Sequence, residues 1–302
     1  MNTVSFPNIG INDLKLDSVA FTLFGHEIAW YGIIITLAII AAVLYSYLRL
    51  RQKGIVNDHY LDLAIATVVF GVIGTRLFYV LTNLDQYDSF WDVFKVWEGG
   101  LAIYGGIIGG CSALIIAAWI KKMYIPVVLD CVGPGVMLGQ MIGRWGNFMN
   151  AEAYGSTESF VFFGKSYVLD GWKEKNPFTM VINGEIYAQP TFLYECVWNL
   201  FGFVLINIFY KKKKFDGEVA LWYLGWYGFG RMFIEGLRTD SLFFGSVKAS
   251  QLIGLLFFLG CLAAIIILRI KKFNVIRPLY LKDKEEDDLP DDKEDDEDGT
   301  DN

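Results

Sequence analysis

The sequence predicts an all-α polytopic membrane protein with seven transmembrane helices, its N-terminus outside, its C-terminus in the cytoplasm, and a small extracytoplasmic insert. Three observations carry that prediction. Apolar residues make up 54% of the 302 residues and mean hydropathy is +0.38, above the level of soluble domains. Uncharged runs recur along the chain, several near the roughly 20 residues that cross a bilayer. Basic residues follow every second run, which is the bias of cytoplasmic loops.

Residues 1–27 form a mixed arm without the basic start of a cleavable signal peptide, so the first apolar run is expected to remain in the mature chain. The runs then fall at 28–48, 61–81, 101–120, 126–145, 191–210, 219–234 and 252–270. This divides the chain into an arm (1–27), four helices (28–150), an insert (151–190), three helices (191–272) and a tail (273–302). The fourth and sixth runs are the least apolar. Their glycines and the rings of Trp222, Tyr223, Trp226 and Tyr227 suit spans buried among others. Within the insert, 160–163 and 178–182 read as short strands, with turns marked by Gly164, Gly171, Asn176-Pro177 and Asn183-Gly184.

Charge sets the orientation. Arg49, Arg51 and Lys53 follow the first run, Lys121 and Lys122 the third, Lys211 to Lys214 the fifth, and Arg269, Lys271, Lys272 and Arg277 the seventh. The loop after the second is acidic (Asp85, Asp88, Asp92 and Glu98 against Lys95). Six spans would strand one basic cluster on the outer side. The formal charge of −7 is misleading, because 13 acidic and 3 basic residues lie from Lys282 onward, leaving 20 acidic against 23 basic in the body. A tail that polar cannot bury enough surface to fold and is expected to be disordered.

Cys111, Cys131, Cys196 and Cys261 sit in or beside apolar runs without CxxC pairing and read as small core residues. With His26 and His59 as the only histidines, a histidine-based metal centre is not expected, and no cofactor is implied.

The fourth run carries the most informative stretch. Gly135, Gly139 and Gly143 recur every four residues, so one helix face is open to a close neighbour. The run ends in Arg144, Asn147, Asn150 and Glu152. A guanidinium at the membrane boundary among hydrogen-bonding groups suits a phosphate-bearing lipid; a snorkelling arginine that anchors the helix end is the plain alternative. The predicted topology puts Tyr31, Arg76, Tyr104, Gln189, Tyr194, Glu195, Arg231, Glu235 and Arg238 in the same outer layer. Ionisable groups in membrane helices are costly and mark sites. Glu235 is spaced to share a helix face with Arg231 and Arg238, either as an ion-pair ladder or as a brace for an arginine that faces an anion. Four arginines against Glu152, Glu195 and Glu235 predict a net positive layer suited to a phosphate ester. Arg76 and Glu235 join the lipid-binding set on these grounds.

Gly143-Arg144-Trp145-Gly146-Asn147-Phe148-Met149-Asn150-Ala151-Glu152-Ala153-Tyr154-Gly155 resembles the signature of the prolipoprotein diacylglyceryl transferases. Trp30-Tyr31-Gly32, Gly99-Gly100-Leu101-Ala102-Ile103-Tyr104-Gly105-Gly106, Gln189-Pro190-Thr191-Phe192-Leu193-Tyr194-Glu195 and Arg231-Met232-Phe233-Ile234-Glu235-Gly236-Leu237-Arg238 extend the likeness over about 28–270. The resemblance implies a seven-span enzyme of the bacterial inner membrane with its active site facing the outer leaflet. Such an enzyme moves the diacylglyceryl group of phosphatidylglycerol onto the lipobox cysteine thiol of a preprolipoprotein signal peptide. The products are a thioether and glycerol phosphate. It implies that Arg144 and Arg238 hold and polarise the phosphate, with Asn147, Glu152, Gly155 and Tyr31 in support.

The chain departs from the family at two positions, where Tyr104 and Gln189 stand in place of common histidines. A phenol, with an ordinary pKa of about 10, is a poor base. His26 reads as a structural group and His59 falls on the cytoplasmic side. A mechanism without a dedicated histidine remains open: nearby cationic charge acidifies the thiol, the arginines stabilise the departing phosphate, and Tyr104 orients the phosphate or relays a proton. A lipid or organic-anion transporter using the same arginines is the rival reading, weakened because the polar groups gather at one face and no inverted repeat is visible. An intramembrane protease lacks its serine motif or paired aspartates here.

Overall fold

In a bilayer the backbone must satisfy its own hydrogen bonds, so uncharged runs become long helices. The computed structural model describes residues 1–87, 89–95, 99–271 and 276–281. Asp88 and Glu98 of the acidic loop, Lys272, and the tail from Lys282 lie outside the described residues. The helices are α1 (Trp30–Arg51), α2 (Asn57–Thr82), α3 (Ile103–Ile120), α4 (Ile125–Met149), the single turn α5 (Trp172–Lys175), α6 (Thr191–Phe209), α7 (Glu218–Leu237) and α8 (Ala249–Ile270). Among the described residues six of these, α1 to α4, α6 and α8, are long and apolar enough to cross a membrane.

Helix α7 falls outside that set because Glu218, Arg231, Glu235 and its glycines dilute its hydropathy. It is instead walled by protein. A Cβ on Gly228 would lie 2.6 Å from the Gly254 carbonyl of α8, and one on Gly230 would lie 2.1 Å from the Trp198 indole of α6. Trp198 and Trp226 stack at 4.2 Å, and each indole N–H donates to the other's carbonyl. The glycine face of α4 meets α1: Cβ atoms on Gly135 and Gly139 would come within 2.7 and 3.3 Å of the Ala42 and Ala38 carbonyls. Small residues thus bring the backbones together. The α2–α3 pair is tighter still, with Gly74 and Gly105 face to face.

The ends of α1, α3, α6 and α8 and the starts of α2, α4 and α7 share one end of the bundle. Leu50, Tyr60, Ala118, Met123 and Val127 pack together there, Lys121 pairs with Asp62 at 2.5 Å, and Arg269 pairs with Glu218. The basic clusters therefore gather at a single end. That end also buries a charge network that the sequence reading missed: Asp130 inside α4 accepts from Lys213 Nζ (2.7 Å), Gly217 N (2.9 Å) and Ala220 N (2.9 Å), while Lys213 also pairs with Asp216 (2.7 Å). The polar groups are thus not confined to one face, as the sequence had led us to expect. They form two separate clusters, and at this one the acids are consumed by internal partners. Residues 276–281, placed in the expected disordered tail, pack across the same end. Leu279 is buried, Tyr124 N donates to its carbonyl, and the Tyr280 hydroxyl meets Val56 N and His59.

The expectation of an all-α protein needs correction at the opposite end. The arm folds into β1 (Asn2–Phe6), β2 (Ile11–Leu16), β3 (Val19–Leu23) and β4 (His26–Ala29). The insert supplies β5 (Gly155–Ser156), β6 (Ser159–Phe162), β7 (Lys165–Val168), β8 (Met180–Ile182) and β9 (Ile186–Gln189). A last hairpin, β10 (Phe243–Phe244) and β11 (Val247–Lys248), precedes α8. Arm and insert share one five-stranded sheet in the order β2-β1-β8-β9-β5, with Val4 opposite Ile182. Alternation makes this possible: Val4, Phe6, Leu16, Met180, Ile182 and Ala188 form a small core beneath the sheet. The two expected strands of the insert are β6 and β8.

Candidate active site

The sheet-bearing end of the bundle is where α4, α6 and α7 bring their charged residues together. Arg144, near the end of α4, donates from Nη2 to Glu195 Oε1 of α6 at 2.5 Å and from Nη1 to Asn147 Oδ1 at 3.3 Å. Glu195 Oε2 accepts from Arg231 Nη1 of α7 at 3.0 Å, and Arg231 Nη2 pairs with Glu235 at 2.6 Å one turn further on. Three helices are thus joined by an alternating chain of charge. The Glu195 and Glu235 side chains are 3% and 2% exposed, against 19% and 16% for Arg144 and Arg231. The carboxylates are sealed anchors, while the arginine side chains stay partly exposed.

Arg238 ends α7 in an extended conformation (φ −64, ψ 143), so the chain leaves the helix axis there. Its backbone pairs with Gly155 of the signature stretch, and Thr239 donates to the Tyr154 carbonyl from both N and Oγ1. A Cβ on Gly155 would lie 2.9 Å from Thr191 and 3.2 Å from Gln189 and Leu237, so its place in the signature is one of close approach. The guanidinium donates side-on to Asp240 from Nε (2.9 Å) and Nη2 (2.7 Å), and its charge reaches Glu195. Burial would raise the Asp240 carboxyl, but the hydrogen bonds and charge of Arg238 outweigh it and hold it below the ordinary aspartate range.

Glu152 is held by Asn147 Nδ2 (3.0 Å) and Asn150 Nδ2 (3.3 Å). Ala151 and Ala153 on either side take positive φ (51° and 56°), each at a cost of about 1–2 kcal/mol. The Thr191 hydroxyl, donating to the Ala153 carbonyl at 2.5 Å, pins that strained loop to the start of α6. Tyr31 lies over Gly146, where a Cβ would meet its ring at 2.8 Å, and within electrostatic reach of Glu152 and Arg144. Tyr104 stands in the first turn of α3, its ring 6.4 Å from Phe78, within electrostatic reach of Arg231.

Two expectations are corrected here. Arg76 is not brought to this cluster: it is 8% exposed, and its guanidinium donates to the carbonyls of Val93 (2.7 Å), Asp92 (2.7 Å), Gly99 (2.7 Å) and Gly100 (3.2 Å). It organises the α2–α3 connection. Without Arg76, and with Asp240 and Lys248 added, the described charges balance: Arg144, Arg231, Arg238 and Lys248 against Glu152, Glu195, Glu235 and Asp240. Buried charges need partners, so the layer is neutral, with its arginine side chains partly exposed. Gln189 is buried in β9 and donates to the Ser156 carbonyl, Tyr194 accepts from Asn176 Nδ2 at 2.6 Å, and His26 is exposed on the β3–β4 hairpin. These three shape the scaffold. Lys248 and Asp240 were missed because loop residues between two apolar runs give no periodic signal.

An apolar cleft of about 260 Å³ between α1, α4 and α6 is lined by Ile34, Leu37, Met141, Ile142, Trp145 and Leu200. Met141 and Trp145 place it directly beside Arg144 on α4.

Among the described residues, six helices long and apolar enough to cross a bilayer, with a cluster of braced arginines at one end, define a membrane protein. Residues 18–267 match the profile of the family described as prolipoprotein diacylglyceryl transferase. A protein of Listeria welshimeri named phosphatidylglycerol–prolipoprotein diacylglyceryl transferase is 38% identical over 270 residues, covering 89% of this chain and 95% of that one. Proteins of the same name from Clostridium kluyveri (40% over 253 residues; 83% and 94%) and Streptococcus pneumoniae (40% over 273 residues; 89% and 99%) are similarly close. The chain belongs to the prolipoprotein diacylglyceryl transferase family.

Proposed function

We propose that this protein transfers the diacylglyceryl group of phosphatidylglycerol to the lipobox cysteine of a prolipoprotein. The observation that carries the reading is the convergence of Arg144, from the signature stretch, and Arg231, from α7, on the sealed carboxylate of Glu195, with Arg238 at the end of the same helix joined to the signature stretch at Gly155. In this reading Arg144 and Arg238 bind the headgroup phosphate, and the acyl chains leave along the apolar cleft beside Arg144. Asn147 and Glu152 steady Arg144, Tyr31 and Gly155 shape the pocket, and Glu235 braces Arg231. Helix α7 is also a span, sixth in chain order, which brings the count to seven; the basic end faces the cytoplasm of a bacterial inner membrane, and the site faces the outer leaflet.

The step is a displacement. The cysteine sulfur attacks the glyceryl carbon that bears the phosphate, an S–C bond forms, and the C–O bond breaks with its electron pair passing to phosphate oxygen. Glycerol phosphate departs, and the thiol proton leaves to it or to solvent. The growing charge on the phosphate falls beside guanidiniums fixed in advance, where stabilisation requires no rearrangement. Two reactants confined to one plane of the membrane also lose little further freedom on meeting. Tyr104 orients the phosphate or relays the proton, and a Tyr104→Phe enzyme of full activity removes that role. The decisive assay is reconstitution: purified protein, phosphatidylglycerol and a lipobox peptide yield lipidated peptide, and Arg144→Ala or Arg238→Ala abolishes it. Lipidation persisting in both variants refutes the reading; lipid transport across vesicles without lipidation favours the transporter.

A further inference from the structure

The end of α7 lacks what a helix terminus normally provides. Its last carbonyls lack their usual amide partners four residues on; the Arg238 amide donates to the Glu235 carbonyl at 3.1 Å, and Thr239, where a glycine commonly turns the chain, follows the extended Arg238. Lys248 supplies further donors from ten residues away. The residue is 3% exposed, and its ammonium donates to the carbonyls of Glu235 (2.9 Å), Gly236 (3.3 Å) and Arg238 itself (2.6 Å).

The route by which Lys248 arrives is built into the chain. The β10–β11 hairpin reverses the backbone, with Phe243 opposite Lys248 and the Ala249 amide on the Leu242 carbonyl. One turn into α8, Gln251 donates to the Met232 carbonyl of α7 (3.1 Å) and to the Val161 carbonyl of the β6–β7 hairpin (2.8 Å). The start of α8 is therefore seated against α7 at two points. A cation at a helix C-terminus is favoured by the helix dipole, and a compact ammonium directs its three donors from a single atom, where a guanidinium spreads them over a planar fork. Burial lowers the Lys248 pKa from the ordinary lysine value, opposed by the charges of Glu235 and Asp240.

We propose that Lys248 is a positioning residue for the transferase reaction: by holding the carbonyls on both sides of the turn out of α7, it fixes where the Arg238 guanidinium stands. Gly155 holds the Arg238 backbone from one side and Lys248 holds it from another. Asp240 then fixes the rotation of the guanidinium plane. The proposal rests on the reading that Arg238 meets the lipid headgroup.

The test is a double-mutant cycle on kcat/KM, using the full-length enzyme in detergent with phosphatidylglycerol and a lipobox peptide. Lys248→Met alone is expected to lower kcat/KM about 100-fold, the scale of a misplaced catalytic group, and Arg238→Lys alone to lower it as well. Adding Lys248→Met to Arg238→Lys is expected to change little further, because the residue being positioned is already gone. Independent, multiplying losses overturn the proposal, as does a Lys248→Met enzyme with wild-type kinetics. Full activity in Arg238→Ala sinks the headgroup reading itself, which sets that failure apart from the other two. If Lys248→Met does not fold, Lys248→Arg runs the same cycle. It is expected to lose about tenfold in the Arg238 background and nothing measurable beside Arg238→Lys; equal losses in both backgrounds overturn the proposal.

Discussion

Replacing Glu195 with glutamine is the sharpest perturbation this site allows, because one side chain bridges two arginines on two other helices. Its carboxylate receives Arg144 at 2.5 Å and Arg231 at 3.0 Å and is 3% exposed. The glutamine is nearly the same size, so packing is preserved and charge alone is removed. Two guanidiniums then face each other with one acceptor between them. Breaking a buried pair in this way costs about 3–5 kcal/mol, a large part of the roughly 5–15 kcal/mol that holds a protein folded. At about 2 °C per kcal/mol for a chain of this size, the unfolding midpoint in detergent should fall by about 6–10 °C. Loss of the brace also lets Arg144 swing, and a misplacement of that kind costs about 100-fold in kcat/KM. The two readouts are thermal unfolding and lipidation of a lipobox peptide. A Glu195→Gln enzyme that melts and turns over like the wild type refutes the idea that this carboxylate organises the arginines.

Gly105→Ala should separate α2 from α3, since its Cβ would lie 2.1 Å from the Gly74 carbonyl; a loss of about 1–3 kcal/mol and lowered activity through Tyr104 are expected in unfolding and turnover assays. Lys213→Met strands Asp130 and Asp216 at the opposite end of the bundle. It should cost about 3–5 kcal/mol of stability while kcat per folded molecule stays unchanged. The depressed Asp240 carboxyl carries a pH signature: its pair with Arg238 contributes stability that is present above the ordinary aspartate range and is lost as pH falls through the depressed value. Unfolding midpoints of wild type and Asp240→Asn should therefore converge only in acid.

How much of this was legible in the sequence depended on which residues carried a periodic or compositional signal. The glycine spacing of 135, 139 and 143 named a close helix contact, and α1 makes it. The hydropathy runs located the helices to within a few residues, although α4 continues to Met149 and so keeps Asn147 inside the helix. The arm folds as two local strand pairs, β1–β2 and β3–β4, which its mixed composition did not announce, and β1 adds a partner, β8, nearly 180 residues away that no local pattern could show. Arg76 misled because an arginine in an apolar helix looks the same whether it faces a ligand or a ring of backbone carbonyls. Asp130 was passed over as a lone acid in α4, and its partner Lys213 was hidden within a run of four lysines. Lys248 and Asp240 shape the site from a loop whose composition reads only as a turn.

The account stands on one lipid phosphate being held by guanidiniums from α4 and from the end of α7. An experimental structure of the protein with bound phosphatidylglycerol tests this directly. The phosphate oxygens should lie about 3 Å from nitrogens of both Arg144 and Arg238, with the acyl chains in the cleft lined by Leu37, Met141 and Trp145. A phosphate held by neither arginine, or a headgroup seated on the Arg76 side of the bundle, contradicts it.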